Sequence, residues 1–193
     1  MPYSKAHKLI IREKIVQNAT NEFRQKGIKE VSVPQIMKGA GLTHGGFYAH
    51  FANKDQLVAE ACRKAIEETI NLLQGATNRK KDHVKLATVI DYYLSATHRD
   101  QMEISCILPT LSSEIARSSD EIRDAFTLEI NRFFTFIAEM VGGNKQVSMA
   151  IVSAMVGAIL LARSVNDPAL SQNILDSTKQ YAKDMASHFS QSS

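Results

Sequence analysis

Apolar residues recur at steps of three and four along most of this chain, and that repeat limits its fold more than any other feature. The spacing is typical of helices that bury one face. The first stripe comprises Ile11, Ile15, Ala19 and Phe23, and Gly27 follows it as a helix stop. Only four prolines and nine glycines interrupt the 193 residues, and most of the glycines fall between periodic segments. The sequence therefore predicts an all-α protein.

Capping signals divide the N-terminal part into short helices. Ser32 and Gln35 have the spacing of a capping box, so a helix is predicted to begin there and to end at residues 39–41 (GAG). Thr43 is a candidate cap for a third helix, which follows after a turn of very few residues. Asn53 begins another capping pattern, and a longer helix is predicted behind it.

The remainder of the chain contains further periodic segments. A polar stretch at 74–82 (QGATNRKKD) is predicted to separate them from the N-terminal unit. Helices are predicted at 84–94, within 102–116, at 121–141, at 146–164 and at 168–189. Residues 118–121 (SSDE) predict a capping box, and Asp167-Pro168 predicts the start of the last helix.

The formal net charge of +3 hides an uneven distribution. Residues 1–64 carry 11 basic and 5 acidic side chains, whereas the rest of the chain carries 12 and 15. A basic first third joined to a mildly acidic remainder predicts that only the first part contacts a polyanion. A chance distribution of surface charge is the alternative.

Cysteine usage and hydropathy predict a cytoplasmic location. The two cysteines are too few for a disulfide framework and fit a reducing compartment, and the first residues lack the apolar stretch of a secretory signal. Residues 147–162 contain no charged side chain. That stretch is shorter than the roughly 20 residues needed to cross a bilayer. We therefore expect a buried helix there and no membrane partner.

A short helix, a tight turn and a second short helix are predicted between Ser32 and Phe51. This is the order of a helix-turn-helix, whose second helix enters the DNA major groove. Gly45 and Gly46 fall inside that second helix, where each costs about 1 kcal/mol relative to alanine. Since they have no side chains, they allow the backbone to come close to base edges. Phe47 and Phe51 are predicted to point inward and to pack on Ile36, Leu42 and Phe23.

Polar side chains flank the two glycines at helical spacing. Thr43 and His44 lie at the predicted helix N-terminus, which favours a phosphate. Tyr48 and His50 can donate to phosphates on either side of the groove. Lys54 begins the next helix, where its charge opposes the helix dipole unless an anion lies nearby. Solvated positions for His44 and Lys54, and a core position for Tyr48, are the alternatives.

Residues 12–60 resemble the N-terminal domain of the tetracycline-repressor (TetR/AcrR) family. The resemblance is carried by Ile15, Ala19, Phe23 and Gly27, and by VSVPQIMKGAGLTHGGFYAHFANKDQLVAEA at 31–61. It implies an all-α fold with a homeodomain-like, three-helix helix-turn-helix domain at 1–53. Residues 54–193 would then form a connecting helix followed by a helical domain for ligand binding and dimerisation.

The same resemblance implies a role for each position of the motif. Ser32 resembles a phosphate contact, residues 43–46 (Thr43, His44, Gly45 and Gly46) resemble recognition-helix positions, and three further residues resemble backbone contacts. These three are Tyr48, His50 and Lys54. Pro34 and Ala49 depart from the family pattern, so no DNA contact is expected from either.

The expected function is that of a transcriptional repressor, a homodimer that binds an inverted-repeat operator and is released by a small-molecule effector. Two helix-turn-helix units related by a dyad read half-sites roughly 34 Å apart. Helices at 146–164 and 168–189 are the predicted dimer surface, since small residues allow close approach. These small residues are Ser148, Ala150, Ser153, Ala154, Gly157 and Ala158.

An effector cavity is predicted among the helices at 84–98, 102–116 and 121–141. Its candidate lining residues are Tyr92, Tyr93, His98, Met102, Cys106, Phe126 and Phe133. Ordinary core or surface positions are the alternative for each. Cys106 lies near a predicted helix start, where thiolate character rises, so an oxidant or electrophile is a second candidate effector. A small buried hydrophobe is the other interpretation of this cysteine.

The sequence gives no support for an enzyme. It contains no Gly-rich phosphate loop, HExxH motif or nucleophile elbow, and its six histidines include no pair spaced for a metal. We therefore expect no catalytic residue, no metal and no cofactor. A protein that keeps this fold to bind a ligand, without an operator function, is the alternative.

Overall fold

The computed structural model describes residues 5–190, and it describes side chains for residues 5–187. Within this range the chain forms nine α-helices and no β-strand, which confirms the predicted all-α class. The helices are α1 Lys5–Lys26, α2 Val33–Gly39, α3 Lys54–Thr77, α4 Asp82–Tyr93, α5 Ala96–Asp100, α6 Leu108–Ile115, α7 Asp120–Ala138, α8 Lys145–Ser164 and α9 Pro168–Ser190. Short 3₁₀ helices form at His44–Ala49, Met102–Ile104 and Glu139–Val141.

The N-terminal unit consists of α1, α2 and the 3₁₀ helix His44–Ala49, and we call it the head. Three residues of the first stripe, Ile15, Ala19 and Phe23, are fully enclosed as predicted, and Ile11 is half-buried. Gly27 has a φ of +80°, which is the left-handed conformation that ends α1. The first half of α3, as far as Glu68, packs on α1 of the head, and α3 also packs on α7 of the C-terminal domain.

Local capping signals place the start of α2 and of α3 correctly. The Ser32 side chain accepts from the Gln35 backbone, and the Gln35 side chain accepts in return from the Ser32 backbone. Asn53 caps α3 through a 2.7 Å bond from the Gln56 backbone N–H. Helix α3 runs on to Thr77, so the polar stretch at 74–82 is helical in its first half and breaks only after that residue.

Two capping predictions in the chain were wrong. Ser119 occupies the cap position of α7, but its hydroxyl makes no capping bond there and donates instead to Asp55 Oδ2 at 2.7 Å. Thr43 occupies the cap position of the 3₁₀ helix, and its side chain also makes no capping bond. By contrast, Asp167 Oδ1 accepts from two backbone N–H groups in the first turn of α9, as predicted.

Helices α8 and α9 pack against each other, and α8 also packs on α7. Two of the small residues predicted to face a second subunit point inward instead. Ser148 is fully buried and donates to the Phe134 carbonyl, and Ala158 is 4% exposed. The prediction was therefore wrong for these two positions, because α7 covers Ser148 and Ala158 is enclosed where α8 packs on α9.

Helix α8 is the one helix in the described range that is long and apolar enough to span a membrane, with a mean hydropathy of 1.8. Its most apolar window is 44% buried inside the fold. The core helix of a globular domain passes the same test. Its composition is therefore explained by packing on α7 and α9.

Candidate nucleic-acid interface

The turn between α2 and the 3₁₀ helix is closed by backbone hydrogen bonds. The Gly41 N–H donates to the Lys38 carbonyl at 2.9 Å, and the Leu42 N–H donates to the Met37 carbonyl at 2.8 Å. Gly41 has a φ of +71°, which explains why glycine stands there. The predicted recognition helix is thus held directly behind α2, and it is a 3₁₀ helix of six residues rather than an α-helix.

Two aromatic side chains fix this 3₁₀ helix from below. Phe47 and Phe51 are each 1% exposed, and their rings stack with centroids 5.4 Å apart. Both belong to the apolar core that includes Phe23 and Ile36. The aromatic pair therefore packs inward as predicted, and the opposite side of the helix faces solvent.

Gly45 and Gly46 lie in this short helix without any internal need for glycine. A Cβ built on Gly45 meets no atom within 4 Å, and one built on Gly46 meets only Met37 Cε at 3.6 Å, an ordinary contact. Neither residue has a positive φ. Since neither packing nor backbone conformation demands glycine, the observation favours close approach by something outside the chain.

Exposed polar groups surround these glycines. Ser32, Thr43 and His44 are exposed, and Tyr48 is 68% exposed. The His44 and Tyr48 rings meet edge to face with centroids 6.3 Å apart, one helical turn from each other. The structure therefore brings His44 and Tyr48 together on the surface of the head, and Tyr48 is not a core tyrosine.

His50 lies half-buried at the end of the 3₁₀ helix. Its Nδ1 atom is buried and has no hydrogen-bond partner, while its backbone carbonyl accepts from Arg12. Burial lowers the pKa of His50, and the nearby charges of Lys8 and Arg12 lower this pKa further. The ring is thus neutral in the free protein, although it lies among basic side chains that favour a phosphate.

Arg12 is a residue of this site that sequence reasoning missed. Its guanidinium donates to the His50 carbonyl, forms an ion pair with Glu60 and lies 4.1 Å above the Phe51 ring centroid. These contacts join α1, the end of the 3₁₀ helix and α3. Because they span 38 and 48 positions in the chain, no local pattern signals them.

Lys54 begins α3 at the edge of the same surface. Its Nζ donates to the Ile28 carbonyl at 2.6 Å, so the side chain is not merely solvated. Burial lowers the pKa of Lys54, and the carboxylates of Glu114 and Asp55 partly offset this by raising it. The ammonium lies half-buried beside the loop that joins α1 to α2.

Four of the seven predicted effector residues form one buried cluster. The Tyr93 ring lies 4.3 Å from the His98 ring and 6.2 Å from the Phe133 ring, measured between centroids. The Cys106 N–H donates to His98 Nε2 at 2.8 Å. Tyr93, Cys106 and Phe133 are at most 1% exposed and His98 is 5% exposed, so the cluster is close-packed core in this conformation.

The other three candidates lie apart from that cluster. Tyr92 and Phe126 are half-buried against the edge of the core, and Met102 is 38% exposed. Met102 lines a surface cleft of about 470 Å³ next to Arg99 and Arg163.

Burial raises the pKa of the Cys106 thiol, although polar neighbours that include Tyr93 partly oppose the shift. The thiol is therefore protonated and shielded, contrary to the thiolate character expected from its sequence position.

The helix-turn-helix segment is also similar in sequence to known proteins. A profile described as bacterial regulatory proteins, tetR family, matches residues 15–61. The uncharacterized HTH-type transcriptional regulator YvdT of Bacillus subtilis is 29% identical over 85 residues, which cover 44% of this chain and 42% of that protein. The probable acrEF/envCD operon repressor of Escherichia coli K12 is 35% identical over 57 residues, covering 30% of this chain and 26% of the repressor. The matched regions thus span less than half the length of these relatives.

Solved structures extend the likeness to nearly the whole chain. Reduced Escherichia coli NemR superposes with a TM-score of 0.77 at 15% identity and covers 91% of this chain and 96% of its own. A TetR transcriptional regulator from Chloroflexus aurantiacus J-10-FL superposes with a TM-score of 0.73 at 21% identity, covering 95% and 96%. At these identities the likeness shows the fold, an N-terminal helix-turn-helix on a helical C-terminal domain. The helix-turn-helix at residues 15–61 is therefore that of the tetR family of bacterial regulatory proteins, and the fold around it is the one that solved TetR-family regulators share.

Proposed function

We propose that this protein is a DNA-binding transcriptional repressor that acts as a homodimer on an inverted-repeat operator and is released by a small-molecule effector. The observation that carries the proposal is the outer side of the 3₁₀ helix. Gly45 leaves open space there, exposed Thr43 and His44 stand beside it, and buried Phe47 supports it from below. Such a surface suits contact with base edges in a major groove.

The proposed roles follow from exposure and chemistry. Thr43 and His44 contact bases, and Gly45 and Gly46 allow the backbone to approach them. Ser32, Tyr48, His50 and Lys54 contact phosphates, which position the head without reading sequence. Two curated relatives, the acrEF/envCD operon repressor and KstR2, carry the word repressor in their names, which supports repression over activation.

The dimer surface is proposed on α8 and α9. Large apolar side chains remain exposed along both helices, namely Met149, Leu160, Leu161, Leu170 and Tyr181. Between the helices runs a shallow groove of about 370 Å³ whose floor includes Gly157, where a Cβ would meet no atom within 4 Å. Burying exposed apolar surface of this kind stabilises a two-fold interface, and a partner helix can approach closely at the glycine.

Effector release is proposed as a population shift. A ligand that binds more tightly to one arrangement of the two heads lowers DNA affinity by the ratio of its two affinities. The Tyr93–His98–Cys106–Phe133 cluster is closed in the described conformation, so a ligand there would bind a conformation in which the cluster opens. The buried, protonated Cys106 favours a non-covalent small molecule over an oxidant.

A cytoplasmic location and the lack of enzymatic activity follow from the same proposal.

The deciding experiment measures DNA binding by the purified protein. A duplex is selected from a random pool, and its affinity is compared with that of a scrambled duplex at several salt concentrations. Repression of an operator predicts a strong preference for one inverted repeat and a steep loss of affinity with salt. We expect His44→Ala to relax sequence preference and Lys54→Ala to weaken all duplexes alike. A protein that binds no duplex, or that binds all sequences equally, would instead fit the ligand-binding alternative.

A further inference from the structure

A polar junction joins the head to the turn between α6 and α7. Glu114, in the last turn of α6, reaches back to the loop that follows α1. Its carboxylate accepts from the Ile28 N–H, at 3.1 and 3.2 Å to its two oxygens, and from the Lys29 N–H at 2.9 Å. Two backbone groups of the head are thus satisfied by one side chain of the C-terminal domain.

Gly27 is required for this junction. A Cβ at this position would lie 2.2 Å from Glu114 Oε1, and the residue also has a φ of +80°. The positive φ strains any other residue here, and a Cβ would in addition displace the Glu114 carboxylate. The loop is therefore shaped to receive Glu114.

The same loop holds the proposed phosphate contact. The Ile28 carbonyl accepts from Lys54 Nζ at 2.6 Å, so Ile28 lies between Glu114 on one side and Lys54 on the other. An ammonium group has three N–H donors. One donor is fixed by Ile28 and the other two are left for a phosphate, so the position of the loop sets the direction of the ammonium.

A second contact holds the neighbouring residue. Ser119, at the start of α7, donates to Asp55 Oδ2 at 2.7 Å, next to Lys54 in the sequence. Glu114 and Ser119 flank the short turn between α6 and α7. That turn therefore contacts both the loop after α1 and the first turn of α3, which are the two supports of Lys54.

We propose that Glu114 is a positioning residue for DNA binding, which orients Lys54 through Ile28 and makes the phosphate contact depend on where the α6–α7 turn lies. This inference rests on the DNA-binding function proposed above. A movement of α6 that withdraws the carboxylate would free the loop and misdirect the ammonium. The contact between the head and phosphate would then weaken although no DNA-contacting residue had changed.

The direction in which Glu114→Gln changes DNA affinity separates this positioning role from a simple effect of charge. Glu114→Gln removes a negative charge near the DNA surface, which by charge alone strengthens DNA binding. Because Oε2 alone accepts from both N–H groups, a glutamine oxygen in its place keeps both bonds without the charge, while the amide group faces the Ile28 N–H from the position of Oε1. If Glu114 positions the loop, the variant should bind DNA about tenfold more weakly, because the well-aligned hydrogen bonds to a charged group are lost. Glu121→Gln is the matched control, because Glu121 is exposed and lies two residues beyond Ser119.

The experiment measures the affinity of the full-length protein and its variants for the selected duplex and for a scrambled duplex, across a salt series. We expect Glu114→Gln to weaken both duplexes alike and to flatten the salt dependence, because a phosphate contact is lost in each subunit. Hydrogen exchange should become faster at the Ile28 and Lys29 amides in this variant. Glu121→Gln should leave the exchange at these amides unchanged, and its affinity should rise slightly or stay constant.

Ser119→Ala provides an independent test without a charge change, should Glu114→Gln fold poorly. We expect it to weaken both duplexes in the same way, by a smaller factor. If neither variant binds more weakly than Glu121→Gln, the positioning role is overturned while the proposed function stands. If the parent protein binds no duplex, the proposed function fails and this inference fails with it.

Discussion

Acid should destabilise this protein through His98, whose two ring nitrogens are both committed inside the core. Its Nδ1 lies 2.7 Å from the Tyr93 carbonyl, and its Nε2 accepts from the Cys106 N–H at 2.8 Å. The first contact requires a proton on Nδ1 and the second requires a lone pair on Nε2. A second proton on the ring would therefore point at the Cys106 N–H and break the link between α4 and the segment before α6.

The pKa of His98 shows the cost of that second proton. Burial lowers this pKa from 6.5 to about 4, with a smaller rise from the Tyr93 carbonyl and a further lowering by Arg163. The unfolded chain thus binds a proton at higher pH than the folded chain does. The contribution of His98 to stability is therefore constant above pH 6.5, falls as the pH drops toward 4, and levels off below. A shift of this size corresponds to a loss of about 3 kcal/mol in the free energy of unfolding.

Denaturant unfolding at a fixed protein concentration, followed at pH 7.5, 5.5 and 4.5, checks this prediction. In His98→Asn the amide N–H can still donate to the Tyr93 carbonyl and the side chain does not titrate, so most of the slope between pH 6.5 and 4.5 should disappear. His83→Asn is the matched control, since His83 is exposed on α4 and its removal should leave the slope intact. If His98→Asn and the parent protein lose the same stability over this range, the assignment to His98 is refuted.

Three further substitutions test the proposed surfaces. Gly45→Ala should weaken binding to the selected duplex at least tenfold by gel shift, while thermal unfolding shows no loss of stability, because its Cβ has open space in the free protein. DNA affinity should rise as the pH falls from 8 to 6, since a phosphate would raise the lowered pKa of His50, and His50→Gln should remove this dependence in the same assay. Leu161→Glu, on the exposed face of α8, should yield a helical monomer by light scattering and circular dichroism.

Local features of the fold could be predicted from the sequence because their causes lie within one helical turn. The capping boxes that start α2 and α3, and the buried stripe of α1, each involve residues three or four apart. The prediction of a capping box at 118–121 was wrong because the partner of Ser119 is distant in the sequence. Ser119 donates to Asp55, 64 positions away, and nothing near Ser119 in the sequence signals that partner.

The same distinction divides the site residues. The exposed polar residues of the 3₁₀ helix could be predicted because helical periodicity separates them from Phe47 and Phe51. The roles of Arg12 and Glu114 could not be predicted, since each binds backbone groups that only the tertiary fold brings near. Such residues matter because they fix the direction of groups that a motif identifies only by type.

The glycines show how structure separates two explanations that are identical in sequence. Gly27 and Gly41 have positive φ values, so backbone conformation explains both within the chain. Gly45 has neither a positive φ nor a neighbour that a side chain would meet. An internal cause would predict that Gly45→Ala destabilises the fold, whereas an external partner predicts a loss that appears only on binding. Because neither cause within the chain explains Gly45, we expect the reason for a glycine there to be a partner molecule that comes close to it, and the exposed polar groups around it suit DNA.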